Sequence, residues 1–148
     1  MNKYFLLLIT LSFIIFINCQ VNQEMLNLKN FEWENRVLII GGHGSKFKSQ
    51  LDQINFKSKE FIDRDLVIIL LEEDNSRISY DGLNTIISID YDSTLSIRNK
   101  YDFKNFKLLL IGKDGGEKYN SNDPININVI YELIDGMPMR KQEIKERN

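Results

Sequence analysis

Apolar residues in this chain gather into short continuous runs, separated by stretches in which they recur every three or four positions. The run RVLII (36–40) ends at Gly41, Gly42 and Gly44, as a buried strand does when it enters a turn. Ser45 is placed to cap a following helix. Phe47, Leu51, Ile54, Phe61 and Ile62 then fall close to one helical face, with Gln50, Asp52, Lys57 and Lys59 off it. DLVIILLEED (65–74) is apolar on both faces, so it predicts a central strand covered by helices. RISYDGLNTIISI (77–89) carries Asp81-Gly82 between two β-prone runs and predicts a hairpin. DSTLSIRNKYD (92–102) predicts a short helix, with Leu95, Arg98 and Tyr101 at helical spacing. FKLLLIGKDGGEKY (106–119) predicts a buried strand, a tight turn at Asp114-Gly115-Gly116 and an antiparallel return. Asp123 then caps a helix that starts at Pro124 and closes at Gly136, burying Ile127, Ile130, Tyr131 and Ile134. MPMRKQEIKERN (137–148) reads as a charged tail.

The order is strand, helix, strand, an excursion, helix, strand, hairpin strand, helix. It predicts an α/β fold, a central mixed sheet with helices on both faces. A β-hairpin and helix after an initial βαβ unit is the thioredoxin-like arrangement.

The first residues read differently. MNKYFLLLITLSFIIFINCQ (1–20) has Lys3 and then an apolar run, 5–17, broken only by Thr10 and Ser12. That is short for a membrane span and suits a secretory leader. Cys19, the only cysteine, sits just past it. Three outcomes stay open: cleavage before Cys19 with lipidation of its thiol, cleavage nearby by an ordinary signal peptidase, or a retained anchor. Each places the domain outside the cytoplasm. The expected organisation is a signal peptide at 1–18, a tether at 19–30, the domain at 31–143 and a charged tail at 144–148.

Composition narrows the chemistry. The chain has 148 residues, enough for one core, and a formal charge of −2, with no basic footprint for nucleic acid. The domain at 31–143 has no cysteine, so neither thiol exchange nor a disulfide framework is available to it. The glycine turn GGHGSKFK (41–48) fits neither phosphate-binding pattern, because Lys46 precedes Phe47 and position 47 is not glycine. His43 is the only histidine and has no second soft ligand, so a metal site is not expected and an exposed turn residue is the plainer reading. EEDNS (72–76) lacks calcium-loop spacing and reads as a solvated strand exit. Lys113 and Lys118 flank the hairpin turn, able to pair with Asp114 and Glu117 or to meet an anion. Met137 and Met139 flank Pro138, as core fillers or as an adaptable contact surface.

FEWENRVLII, Gln50, RDLVII, LLLIGKDGGEK and IDGMPMRKQE occur in that order. Together they resemble the domain of unknown function four-one-seven-four, or DUDES domain, of bacterial secreted and envelope proteins and animal extracellular sushi-repeat proteins. The resemblance implies a thioredoxin-like fold, no assigned activity and no cofactor. Through the animal relatives' link to matrix and adhesion, it also implies binding rather than catalysis. It falls on Trp33, Arg36, Arg64, Asp65, Lys113, Asp114, Lys118, Asp135 and Arg140, among others. Trp33 is expected to anchor its segment on the core. Arg36, Arg64 and Arg140 are expected to pair with Asp65, Asp114 and Asp135. Arg36, Lys113, Lys118 and Arg140 are the candidate binding residues, for an envelope or extracellular protein partner. The rival expectation is a small thiol-independent enzyme around His43, Lys113 and Arg140.

Overall fold

The computed structural model describes residues 25–54, 58–73 and 75–147. The expected leader, Cys19 and most of the expected tether lie outside them. A 3₁₀ turn, Leu28–Phe31, precedes strand β1 (Arg36–Gly41). Helices α1 (Gly44–Ile54) and α2 (Ser58–Asp63) lead to β2 (Leu66–Leu71). A small excursion, β3 (Arg77–Ser79) and β4 (Ile87–Ser88), is followed by α3 (Tyr91–Tyr101). The chain ends in β5 (Lys107–Ile111), β6 (Glu117–Ser121), α4 (Ile127–Gly136) and α5 (Pro138–Arg147).

The sheet order is β4-β3-β2-β1-β5-β6. β1 pairs parallel with β2, placing Arg36 opposite Leu66, and antiparallel with β5, placing Val37 opposite Ile111. β6 returns antiparallel on β5. Strands β2-β1-β5-β6, with α1 and α2 in the parallel crossover and α4 after the hairpin, make the fold thioredoxin-like. The β3–β4 hairpin extends the sheet beyond β2.

Alternation along the three central strands sorts their side chains onto two faces. Leu38, Ile40, Ile68, Leu70, Leu108 and Leu110 pack with Phe47, Ile54 and Phe61 of α1 and α2 and with Ile127, Ile130, Tyr131 and Ile134 of α4. Val37, Ile39, Val67, Ile69 and Leu109 pack with Ile97 and Tyr101 of α3 and with Phe31. Helices therefore cover both faces, as the doubly apolar strands required.

Several local expectations are corrected. The stretch after β1 is two helices, and Ile62, at 55% exposure, lies off the buried face. α1 starts at Gly44, so Ser45 sits inside its first turn rather than capping it. The last core helix is capped by Asn126, whose side chain accepts from the Asn128 N–H; Asp123 instead pairs with Lys46. The Asp81-Gly82 hairpin forms with a long connection, in which Ser79 and Asp81 accept backbone N–H groups from Leu83 and Thr85. Residues 28–30 of the expected tether belong to the 3₁₀ turn, and Leu26 and Leu28 pack on the core. The expected tail is helix α5, and residues 144–147 are its last turn.

Candidate functional site

The glycine turn lies at the C-terminal end of β1. A Cβ at Gly41 would collide with the ring of Phe103, and one at Gly42 would meet Phe106 Cα at 2.7 Å. Gly42 also has φ +127°, which side chains rarely adopt. These glycines let the α3–β5 connection close against the strand end, a packing requirement independent of any ligand. His43 Nδ1 lies 3.1 Å from Glu73 Oε1, with both side chains 67% exposed. Glu72 pairs with Arg77, so these two carboxylates of the strand exit each have a basic partner.

The opposite end of the sheet is built from segments remote in sequence. Arg36 opens β1 and is only 1% exposed. Its Nη1 and Nη2 donate to Glu143 at 3.2 and 3.0 Å, and Nη1 also donates to the Arg64 carbonyl at 2.9 Å. Lys113, just past β5, donates to Asp65 at 2.8 Å and lies 3.0 Å from Glu143. Arg140, in the first turn of α5, donates to the Asp63 carbonyl at 2.7 Å, to the Asp63 carboxylate and to Asp135 at 3.3 Å. Arg64 bridges Asp135 at 2.6 Å and Glu60 at 2.7 Å, with its guanidinium 4.7 Å from the Tyr131 ring centroid. Arg147 reaches Asp63 and Asp65. α5 is thus held to the α2–β2 turn and to the start of β1 mainly by charge-assisted hydrogen bonds.

These contacts shape the titration of the cluster. Burial alone would raise the Glu143 pKa, but hydrogen bonds from Arg36 and Lys113 outweigh it and bring the carboxyl below its ordinary 4.5. Burial likewise opposes the charge on Arg64, yet its bonds to Asp135 and Glu60 leave its pKa raised. Tyr131 is pushed up to about 12, chiefly by burial and further by the charge of Glu60.

Beside the cluster lies a cavity of about 380 Å³, lined by Arg36, Gly112, Lys113, Asp114, Lys118, Met137, Pro138 and Met139. Lys118 pairs across the hairpin with Asp114 at 2.6 Å, which holds that carboxyl below its usual range. Three of the candidate binding residues, Arg36, Lys113 and Lys118, therefore share one cavity wall. The fourth, Arg140, fastens the helix that contributes Pro138 and Met139.

The expected enzyme trio does not assemble. His43 follows the C-terminal end of β1 and Lys113 lies by its N-terminal end, roughly 20 Å apart by strand rise. The expected pairing of Arg64 and Arg140 with Asp135 is present. Asp114 lies apart from it and pairs with Lys118, while Lys113 reaches past the hairpin to Asp65 and Glu143. Trp33 does not anchor on the core; it is 67% exposed, at φ 69°, and its N–H donates to the Lys113 carbonyl at 2.6 Å. Glu143, Asp63 and Arg147 were not singled out from sequence. Glu143 meets Arg36 across 107 positions and Asp63 meets Arg140 across 77, and only the helical spacing of Arg140 and Glu143 hinted at a shared face. Met137 packs partly against the core and Met139 is 38% exposed.

Two comparisons bear on this chain. The family model of the domain of unknown function (DUF4174) matches residues 27–143. Among solved structures, the chain is similar to the mitochondrial 2-Cys peroxiredoxin from Plasmodium falciparum, at 13% identity and a TM-score of 0.45, over 74% of this chain and 79% of that one.

Proposed function

The chain belongs to the DUF4174 family, and on that premise we propose that it is an exported, non-catalytic binding module that meets an envelope or extracellular protein through the cavity end of its sheet. The observation that carries this reading is the shared wall: Arg36, Lys113 and Lys118 come from β1 and the β5–β6 hairpin, and Met137, Pro138 and Met139 from the α4–α5 junction, yet all line one cavity. An apolar cavity rimmed by charge suits a contact surface. Three features favour binding over catalysis. The domain has no cysteine, its only histidine is an exposed turn residue at the far end, and the buried cations are matched by carboxylates. The leader and Cys19 support export, with a lipid on Cys19 as the tether to a membrane.

The test is crosslinked capture from the native envelope with the full chain as bait. Arg36, Lys113 and Arg140 hold the fold and are poor choices for variants. A Lys118→Glu/Met139→Asp bait changes the cavity rim, and a Lys46→Glu bait changes the glycine-turn end. The expected result is a partner retained by Lys46→Glu and lost by the rim variant. Equal capture by all three baits, or none by the wild type, overturns the proposal.

A further inference from the structure

The three most exposed large apolar side chains among the described residues are Met25, Tyr91 and Trp33, at 85, 72 and 67%. Met25 and Trp33 bracket the N-terminal 3₁₀ turn, and Tyr91 opens α3 much later in the chain. The fold brings them to one end of the molecule. The Leu26 N–H donates to Ser93 Oγ at 2.9 Å, which lays the N-terminal segment on the first turn of α3. The Trp33 N–H donates to the Lys113 carbonyl, which sets this residue beside the β5–β6 turn. A cavity of about 510 Å³ spans the two places, with Met25, Glu32, Asp90 and Gly115 in its lining. Single exposed apolar residues are ordinary on a protein surface, but a gathered group calls for a reason. Trp33 adds a second one. It holds φ 69°, a strained conformation for a bulky side chain, and buries little of its ring to offset that. Strain kept at an exposed aromatic points to a contact outside the domain.

The sequence before Met25 says what that contact is. Six residue steps separate Cys19 from Met25, a reach of about 20 Å at full extension. A bilayer holding Cys19 therefore lies within reach of this end of the domain, which is roughly 35 Å across. We propose that Met25, Trp33 and Tyr91 make a second, direct contact with the lipid surface to which Cys19 tethers the chain. This inference rests on the lipid tether of the binding reading and adds the orientation of the domain. Tryptophan and tyrosine rings favour the headgroup level of a bilayer, where an apolar body and a polar tip are both satisfied. Lys29 and Lys100 in the cavity lining are offset by Glu32, Asp90 and Asp92, so the contact is made by apolar side chains rather than by attraction to anionic lipid. The cavity that meets the protein partner lies on the α4–α5 side of the sheet, so seating the α3 side on lipid leaves it open.

Trp33 is the only tryptophan, so intrinsic fluorescence reads this surface alone. The test uses the full-length protein, isolated from cell membranes and reconstituted into phosphatidylcholine vesicles. Trp33 emission should be shielded from aqueous iodide, and lipids brominated near the headgroup should quench it more than lipids brominated at the chain end. Anionic phosphatidylglycerol in the vesicles should leave both readings unchanged. A Met25→Ser/Tyr91→Ser variant alters only exposed side chains; it should keep its urea midpoint, regain iodide access and lose most of the lipid quenching. A chain that floats with the vesicles while Trp33 stays open to iodide and untouched by brominated lipid overturns the proposal and leaves the tether standing. Equal shielding in the variant overturns it as well, and shielding that grows with protein concentration without lipid quenching overturns it in favour of a second copy. A chain that does not float loses both the tether and this contact, while envelope capture still tests the binding module.

Discussion

Replacing Glu143 by alanine tests how α5 is held. Glu143 accepts both Nη groups of Arg36 and lies 3.0 Å from Lys113. Its removal leaves Arg36 charged, 1% exposed and without a carboxylate partner. Breaking a buried pair on one side costs about 3–5 kcal/mol. Glu143 keeps 17% of its side chain in water and the Arg64 carbonyl still accepts from Arg36, so the low end applies, about 3 kcal/mol. In urea unfolding that is a fall of about 2 M in midpoint for a domain of this size. The pH dependence gives a second reading. The folded-state pKa of Glu143 lies below its ordinary 4.5, so its contribution is complete above about pH 4.5 and is lost as pH falls through the lowered value. Asp81, Asp90 and Asp114 are lowered too, so wild-type stability falls in acid for several reasons. The difference between wild type and Glu143→Gln isolates one of them: the variant should be less stable at neutral pH and lose less on acidification. An Arg36→Leu/Glu143→Leu double variant should recover much of the loss, since it leaves no charge unpaired. A Glu143→Ala loss under about 1 kcal/mol, or the same acid slope in wild type and Glu143→Gln, would refute this account of the cluster.

Other substitutions test the rest of the framework. Gln50 is fully buried and both donates to the Ile125 carbonyl and accepts its N–H, so Gln50→Leu should cost about 2–3 kcal/mol in urea unfolding by stranding both groups. Gly42→Ala meets the backbone of Phe106 and should destabilise by more than about 3 kcal/mol, whereas Gly44→Ala meets nothing within 4 Å and should cost about 1 kcal/mol for its positive φ. Trp33→Gly should raise the unfolding free energy by about 1 kcal/mol, because it relieves a left-handed backbone and removes a largely exposed ring. His43→Ala should change stability by less than about 0.5 kcal/mol and leave envelope capture intact, since it removes only an exposed pair with Glu73.

Much of the architecture was legible in the sequence because continuous apolar runs and glycine turns report locally on burial. β1, β2, β5 and the stripe Ile127, Ile130, Tyr131 and Ile134 lie where the pattern put them. The break between α1 and α2 was not legible, since Phe61 continues the helical spacing of Phe47 and Ile54. α5 was missed for a stronger reason. PMRKQEIKER has almost no apolar stripe, and a helix held by charge looks like a solvated tail until its partners are known. Those partners, Arg36, Asp63 and Asp65, lie far back in the chain. The candidate binding residues were singled out because they carried the family resemblance. That Arg36 and Lys113 are neutralised by a carboxylate of α5, and that the two methionines complete their cavity, required the fold. Trp33 misled because a large apolar residue usually marks the core, while the turn here needs a left-handed residue at an outer corner.

The most direct test of the central claim is site-specific photocrosslinking in intact cells. A photoreactive residue replaces Met139 at the cavity rim, or Lys104 beside the glycine turn, in otherwise unchanged full-length chains. The account predicts a discrete crosslinked partner from position 139, suppressed by Lys118→Glu in the same chain, and none from position 104. A discrete partner from position 104 with none from position 139 would contradict it, placing the contact surface at the glycine-turn end.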